Sequence, residues 1–347
     1  MPPPYPSPAA RERGIDIVPP LPPEAGEGWG GGLVLPGGAP MSRRKGQKVD
    51  GWVIVDKPSG PTSTQVVGKV RRIFDAQKAG HGGTLDPLAT GILPIALGEA
   101  TKTVPYVMDG RKTYRFTIRW GEARNTDDTE GKVTATSAVR PTAAAIDAAV
   151  PRFIGVISQV PPAFSAIKVK GERAYDLARE GESVELEPRE IEIHAFRLVS
   201  IDGPDHASFE VESGKGAYMR ALARDLALAL GTLGHLSALR RLRVGPFDEA
   251  RAISLDSLAE LGNSPAALRH LLPVETALDD IPALALTGDE ANRLRSGQAV
   301  PLFRKADLDR LKDLEDGDIV LARTAGTAVA IARLEQGLLA PVRVLHL

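Results

Sequence analysis

Gly80-His81-Gly82-Gly83-Thr84-Leu85-Asp86-Pro87-Leu88-Ala89-Thr90-Gly91 is the stretch on which the reading of this chain turns. Four of these twelve residues are glycine, so the backbone can bend sharply and a ligand can come close. Asp86 precedes Pro87, and the proline ring pushes the residue before it away from helical geometry toward an extended one. A carboxylate is thereby carried on a stiffened, non-helical loop, a frequent seat for functional residues. Asp-Pro also opens ordinary turns, so Asp86 as a simple turn residue is the alternative.

The elements around the loop follow from periodicity. Upstream, Trp52-Val53-Ile54-Val55 is a short apolar strand, and residues 56–61, DKPSGP, are a turn. Thr62 with Gln65 three residues later predicts a capped helix with Val66, Val67, Val70, Ile73 and Phe74 on one face. Downstream, 92–97 reads as a strand. Residues 114–120 alternate, with Tyr114, Phe116 and Ile118 on one face and Arg115, Thr117 and Arg119 on the other. Residues 160–190 are a long, polar, basic excursion of the kind that is usually functional or unstructured. A strand at 208–213, a helix at 216–230 ending at Gly231, and a basic strand at 236–244 follow. Short helices are expected at 254–261 and 264–272. Residues 283–347 read as a small domain of short strands around a helix at 288–296.

Residues 1–48 are dominated by Pro and Gly and are expected to form a disordered extension, since they cannot bury enough apolar surface to offset ordering entropy. Met41 followed by SRRKGQKVDG is read as the true start. The chain has no cysteine, which excludes disulfides, thiolate nucleophiles and cysteine-based metal sites and fits a cytoplasmic protein. No apolar run approaches the roughly 18–20 residues needed to cross a bilayer. The formal net charge is −1, but residues 41–102 carry 10 Lys/Arg against 5 Asp/Glu, and 253–347 carry 10 against 14. That asymmetry permits a basic face for a polyanion.

The stretch GHGGTLDPLATGILPIALGEATK resembles the signature of the bacterial tRNA pseudouridine-55 synthases, the TruB family. So do GWVIVDKPSGPTS at 51–63, KTYRFTIRWG at 112–121, QVPPAFSAIKVKGERAYDLAREG at 159–181, SGKGAYMRALARDLALALG at 213–231 and LRRLRVGPF at 239–247. These stand in the family's order across most of 49–250. The resemblance implies an α+β pseudouridine synthase fold with a central mixed, largely antiparallel sheet. Its catalytic domain would span 49–252, with a thumb-like insertion at about 160–190. A helical linker and a small β-rich, PUA-like domain would fill 253–347.

The same resemblance implies isomerisation of uridine 55 in the T loop of tRNA, with no cofactor and no metal. Asp86 matches the catalytic aspartate. Tyr114 matches the active-site tyrosine that stacks on the target base, and it is a candidate base for the C5 proton. An ordinary phenol titrates near 10, so stacking asks less of it than proton removal. Arg220 matches the arginine that pairs with the carboxylate; the alternative is a solvated helix arginine, as expected of Arg224. His81, Tyr218 and Leu239 match substrate contacts, and Lys57 matches a lysine that supports the loop. Lys168, Lys170, Arg173 and Arg179 of the thumb, with Arg240, Arg241 and Arg243, are candidates for the RNA backbone. Gly82 stands where many members have Thr, which predicts a slightly looser loop, and Asn125 stands where many have Asp. The expected partner is tRNA, acted on in the cytoplasm by a monomer without a membrane or a required protein partner. Competing readings are a tRNA-folding chaperone that binds the tRNA elbow and a guide-RNA-dependent relative.

Overall fold

The computed structural model describes residues 15–17, 46–165, 168–169, 172–173, 186–303 and 305–347. The apolar run after Asp50 forms strand β1 (Gly51–Lys57), buried along nearly its whole length. Thr62 then opens helix α1 (Ser63–Ile73). Its hydroxyl accepts from the Gln65 amide while the Gln65 side chain accepts from the Thr62 amide, the reciprocal cap its sequence predicts. Strands β2 (Ala79–His81) and β3 (Thr90–Leu97) bracket the glycine-rich loop. Further on come β4 (Lys112–Trp120), β5 (Glu122–Arg124), β6 (Val133–Ser137), β7 (Gly155–Gln159), β8 (Arg189–Ile201) and β9 (His206–Ser213). Helix α2 (Met219–Ala229) and strand β10 (Gly234–Val244) complete this part of the chain.

The chain forms two compact units. One is Gln47–Tyr114 with Arg240–Leu347; the other contains Arg115–Leu239 and the strand Ile15–Ile17. Strands β4 and β10 each begin in one unit and end in the other.

In the first unit, β1 runs antiparallel to β3, from Gly51 opposite Leu97 to Lys57 opposite Gly91. The other edge of β3 is shared. β2 pairs there antiparallel, with His81 opposite Ile95. The end of β10 pairs there parallel, with Arg240 opposite Thr90 and Arg241 opposite Gly91. A short strand Ile253–Ser254 lies parallel to β1. Trp52, Ile54, Ile92, Val244 and Phe247 belong to the core against this sheet, with the Trp52 and Phe247 rings 5.2 Å apart. The C-terminal part has its own five-stranded sheet, ordered Ala283–Ala285, Ile319–Thr324, Thr327–Glu335, Leu338–Val344, Val300–Pro301. The helix Gly288–Arg295, closed by a Thr287–Glu290 capping box, packs Ala291 and Leu294 onto it. The expected β-rich C-terminal part is therefore present.

In the second unit β7, β8 and β9 are antiparallel neighbours, with Ile191 opposite Ile157 and Phe196 opposite Val211. Phe116, Phe196 and Phe209 cluster on one face, Phe209 stacked on Phe116 and tilted against Phe196, at 5.5 Å from each. A separate three-stranded sheet joins β5, β6 and Ile15–Ile17. That strand lies within the segment 1–48 expected to be disordered; most of the rest of the segment lies outside the described residues. The fold is α+β, with antiparallel pairs outnumbering the parallel ones. Among the described residues no helix is long and apolar enough to cross a membrane.

Candidate active site

The loop between β2 and β3 has few regular backbone partners, so its carbonyls need donors from elsewhere. The scaffold supplies donors to most of them. Lys57, at the end of β1, is fully buried. Its Nζ donates to the carbonyls of Ala89 at 2.7 Å, Pro58 at 2.9 Å and Pro87 at 3.1 Å. The Gly60 amide also donates to the Pro87 carbonyl, at 2.8 Å. Ser63, first residue of α1, exchanges two hydrogen bonds with Leu85: its Oγ accepts from the amide at 2.8 Å and donates to the carbonyl at 2.9 Å. The Ala89 amide donates to the Asp86 carbonyl at 3.1 Å. Asp86 is thus the first residue of a turn whose second is Pro87, the residue type that fits there best.

Arg241 closes the other side. Its side chain is 1% exposed. Nε donates to Ile92 O at 2.8 Å, Nη2 to Gly83 O at 2.9 Å and Nη1 to Thr84 O at 3.2 Å. The Tyr114 phenol acts on the Arg241 charge and partly offsets the lowering of its pKa by burial. Gly91 makes this possible: at φ +97° a Cβ there would stand 2.2 Å from the Arg241 carbonyl oxygen.

His81 ends β2. Burial first, and the Arg241 charge second, hold its imidazole below the usual 6.5, so it is neutral near pH 7. The Gly83 amide donates to Nδ1 at 3.3 Å, which puts the ring proton on Nε2. Gly82 does not loosen the loop. Its amide donates to Pro94 O at 2.8 Å, and Val107 fills the space a side chain would take, 2.7 Å from an added Cβ.

The other unit positions a second group of residues. Tyr218 caps α2, and its backbone is held by Gln159, which accepts from the Tyr218 amide at 2.9 Å and donates to its carbonyl at 3.2 Å. Arg220, 6% exposed, donates to Phe164 O at 3.0 Å and Thr126 O at 3.1 Å, with the Asp128 carboxylate 3.6 Å away. Arg224 is only about a quarter exposed, and its guanidinium is fully engaged. It donates to Asp127 at 2.9 Å, Asp225 at 2.9 Å and Val160 O at 2.8 Å. Burial pushes the Asp127 carboxyl up to about 6 despite Arg224 and Arg220. Leu239 is 8% exposed on β10.

Two of the expected RNA-backbone residues are engaged within the protein itself. The Arg241 guanidinium is buried against carbonyls and does not lie on the surface as expected. Arg240 reaches the surface, but both its Nη atoms meet Asp56 at 2.9 and 3.0 Å, and Nε meets Glu249 at 2.8 Å. The side chains of Lys168, Lys170, Arg173 and Arg179 lie outside the described residues. Sequence reasoning missed Ser63, Gln159 and Asp127. Among the described residues no three His, Asp or Glu side chains are grouped to hold a metal ion.

Comparison with known proteins identifies the family of the chain. Residues 71–219 match the TruB family pseudouridylate synthase N-terminal domain, and 220–279 match the tRNA pseudouridylate synthase B C-terminal domain. The tRNA pseudouridine synthase B of Gluconacetobacter diazotrophicus is 58% identical over 308 residues, 88% of this chain and 100% of that protein. The protein of the same name from Rhodospirillum rubrum is 56% identical, over 88% of this chain and 99% of its own. Among solved structures, a Cbf5-Nop10-Gar1 complex contains a chain that matches with a TM-score of 0.63 at 27% identity, covering 83% of this chain and 79% of that one.

Proposed function

The chain belongs to the TruB family of pseudouridylate synthases, and we propose that it isomerises uridine 55 in the T loop of tRNA to pseudouridine, with Asp86 as the catalytic carboxylate. The bond between N1 of uracil and C1′ of ribose breaks, the base turns, and a bond from C5 to C1′ closes. C5 loses a proton and N1 gains one, so atoms balance without an oxidant, reductant or group donor. An ionised carboxylate can act as the nucleophile toward an electrophilic carbon of the uridine.

The observation that carries this reading is the loop around Asp86. Its carbonyls are bound by Lys57, Gly60, Ser63 and Arg241 before any substrate arrives. A carboxylate on such a loop is already positioned, which is what a nucleophile working on a bound base requires. The target base must first leave its stack, at a cost of a few kcal/mol. Tyr114 then stacks on it, and the neutral His81 offers Nε2–H to the RNA. Tyr218 and Leu239 contact the nucleotide, and Arg220 supports the catalytic carboxylate. Residues 49–252 form the catalytic domain and 253–347 the linker and PUA-like domain. The basic excursion at 160–190, with Lys168, Lys170 and Arg173, grips the RNA backbone. The protein works as a cytoplasmic monomer. Relatives named tRNA pseudouridine synthase B at 56–58% identity favour stand-alone action on tRNA over the guide-dependent and chaperone readings.

The test uses bare, unmodified tRNA transcript labelled with tritium at uracil C5. Wild type should release tritium from the T-loop uridine, and Asp86→Asn should bind the tRNA without releasing any. Release by Asp86→Asn at the wild-type rate removes Asp86 from the chemistry. Well-folded wild type that binds but never releases tritium overturns the enzymatic reading.

A further inference from the structure

Arg241 carries a buried guanidinium that touches several parts of the proposed site at once. It bonds the carbonyls of Gly83 and Thr84 where the loop leaves β2, and that of Ile92 where the chain re-enters β3. The Tyr114 phenol on β4 acts on the same charge. The Arg241 backbone lies against Gly91 at a separation only glycine allows. Its charge also acts on His81.

We propose that Arg241 is a positioning residue for the isomerisation: it locks Tyr114 and the Asp86 loop into one register and does not touch RNA phosphate. The inference rests on the proposed function above. The chemistry of the side chain supports it. A guanidinium presents five N–H donors in a fixed plane, enough to hold the three carbonyls together with donors to spare for a neighbouring oxygen. A lysine is a single point of charge and cannot span the same acceptors. A side chain 1% exposed also has no path to a phosphate without unfolding the loop it holds.

Arg241→Lys separates the two roles in the same tritium assay. If Arg241 instead bound a phosphate, the substitution would weaken tRNA binding and lower the slope of log affinity against log salt by about 1. If it positions the loop, the substitution leaves that slope and KM unchanged and lowers kcat, roughly 100-fold if the loop moves by about an ångström. Coupling to Tyr114 adds a second readout. In a Tyr114→Phe background the further loss caused by Arg241→Lys should shrink to a few-fold at most. The NMR titration of His81 should move upward in Arg241→Met, because a neighbouring positive charge has gone.

An unchanged kcat in a folded Arg241→Lys protein overturns the proposal, and so does a reduced salt slope. Wild type that releases no tritium sinks the function itself, a different outcome. Should Arg241→Lys be too unstable to assay, Tyr114→Phe cuts the same network from the other end. Faster amide exchange at residues 83–88 in that variant supports the proposal, and unchanged exchange overturns it.

Discussion

Replacing Lys57 with Met tests the central claim that the loop is held by buried cations. Methionine keeps most of the chain length and removes the ammonium, which is fully buried and donates to the carbonyls of Pro58, Pro87 and Ala89. Hydrogen bonds to a charged group are worth about 1.5–3 kcal/mol each, so three would sum to roughly 5–9. The substitution also removes the cost of burying an ammonium, several kcal/mol. The Pro58 and Pro87 carbonyls are bonded at partly buried positions and can recruit water, whereas the Ala89 bond is buried. The net loss should therefore fall at about 2–4 kcal/mol. Urea unfolding should register it as a midpoint lowered by on the order of 1 M. In the tritium assay kcat should fall by about 100-fold, since Pro87 and Ala89 follow closely on Asp86. A Lys57→Met protein with the wild-type midpoint and the wild-type turnover would refute the reasoning. Lost stability with full turnover would confine Lys57 to folding and release the loop from its proposed role.

Two other outcomes are expected. Gly91→Ala places a methyl 2.2 Å from the Arg241 carbonyl oxygen at a φ of +97°, so β3 and β10 must separate; its urea midpoint should fall further than that of Lys57→Met, or no folded protein should be recovered. Asp127 gives a signed dependence on pH. Burial raises its carboxyl from 3.8 to about 6, so the folded protein holds this proton more tightly than the unfolded chain. The stability it contributes is fully present below about pH 4 and is lost as pH rises through about 6, up to about 3 kcal/mol in all. Urea midpoints of wild type and Asp127→Asn, compared at several pH values from 4 to 7, should diverge in that window; a constant difference would show that Asp127 is an ordinary exposed acid.

What the sequence disclosed, and what it hid, divides along a physical line. The capped helix after Thr62 is legible because both partners of a capping box are side chains three residues apart. The placing of Asp86 on a non-helical loop is legible because glycine spacing and a following proline are local signals; its proposed role comes from the family resemblance. Lys57 and Arg241 are different. Their acceptors are main-chain carbonyls, and every residue carries one, so no pairing pattern appears in the sequence. A basic residue without a visible acidic mate then reads as a surface charge, which is how Arg241 comes to be mistaken for one. One signal was available: Arg241 follows the buried Leu239 by two positions on a strand, so alternation turns both to the same face. Arg224 reads as solvated for another reason. Its partner Asp127 lies 97 residues earlier, at a φ of +60° that nothing in its neighbourhood announces.

The two ways of holding a buried cation carry different consequences. Around Asp86, Lys57 and Arg241 bond to main-chain carbonyls, which do not titrate, so acid alone does not dissolve those bonds. In the other unit Arg224 is held by the carboxylates of Asp127 and Asp225, both pushed upward by burial. Below about pH 6 Asp127 takes up a proton and gives up the charged half of its bond to Arg224. Proton uptake relieves the burial of the charge, so the fold as a whole gains while this one bond weakens. Arg224 also anchors the Val160 carbonyl at the start of the basic excursion. Mild acid should therefore loosen that anchor while leaving the Asp86 loop in place. Amide exchange followed from pH 7 to 5, corrected for its intrinsic pH dependence, separates the two: protection should fall near Asp127 and persist through residues 82–92. Loss of protection in the loop at the same pH would mean that its geometry depends on a titrating group after all.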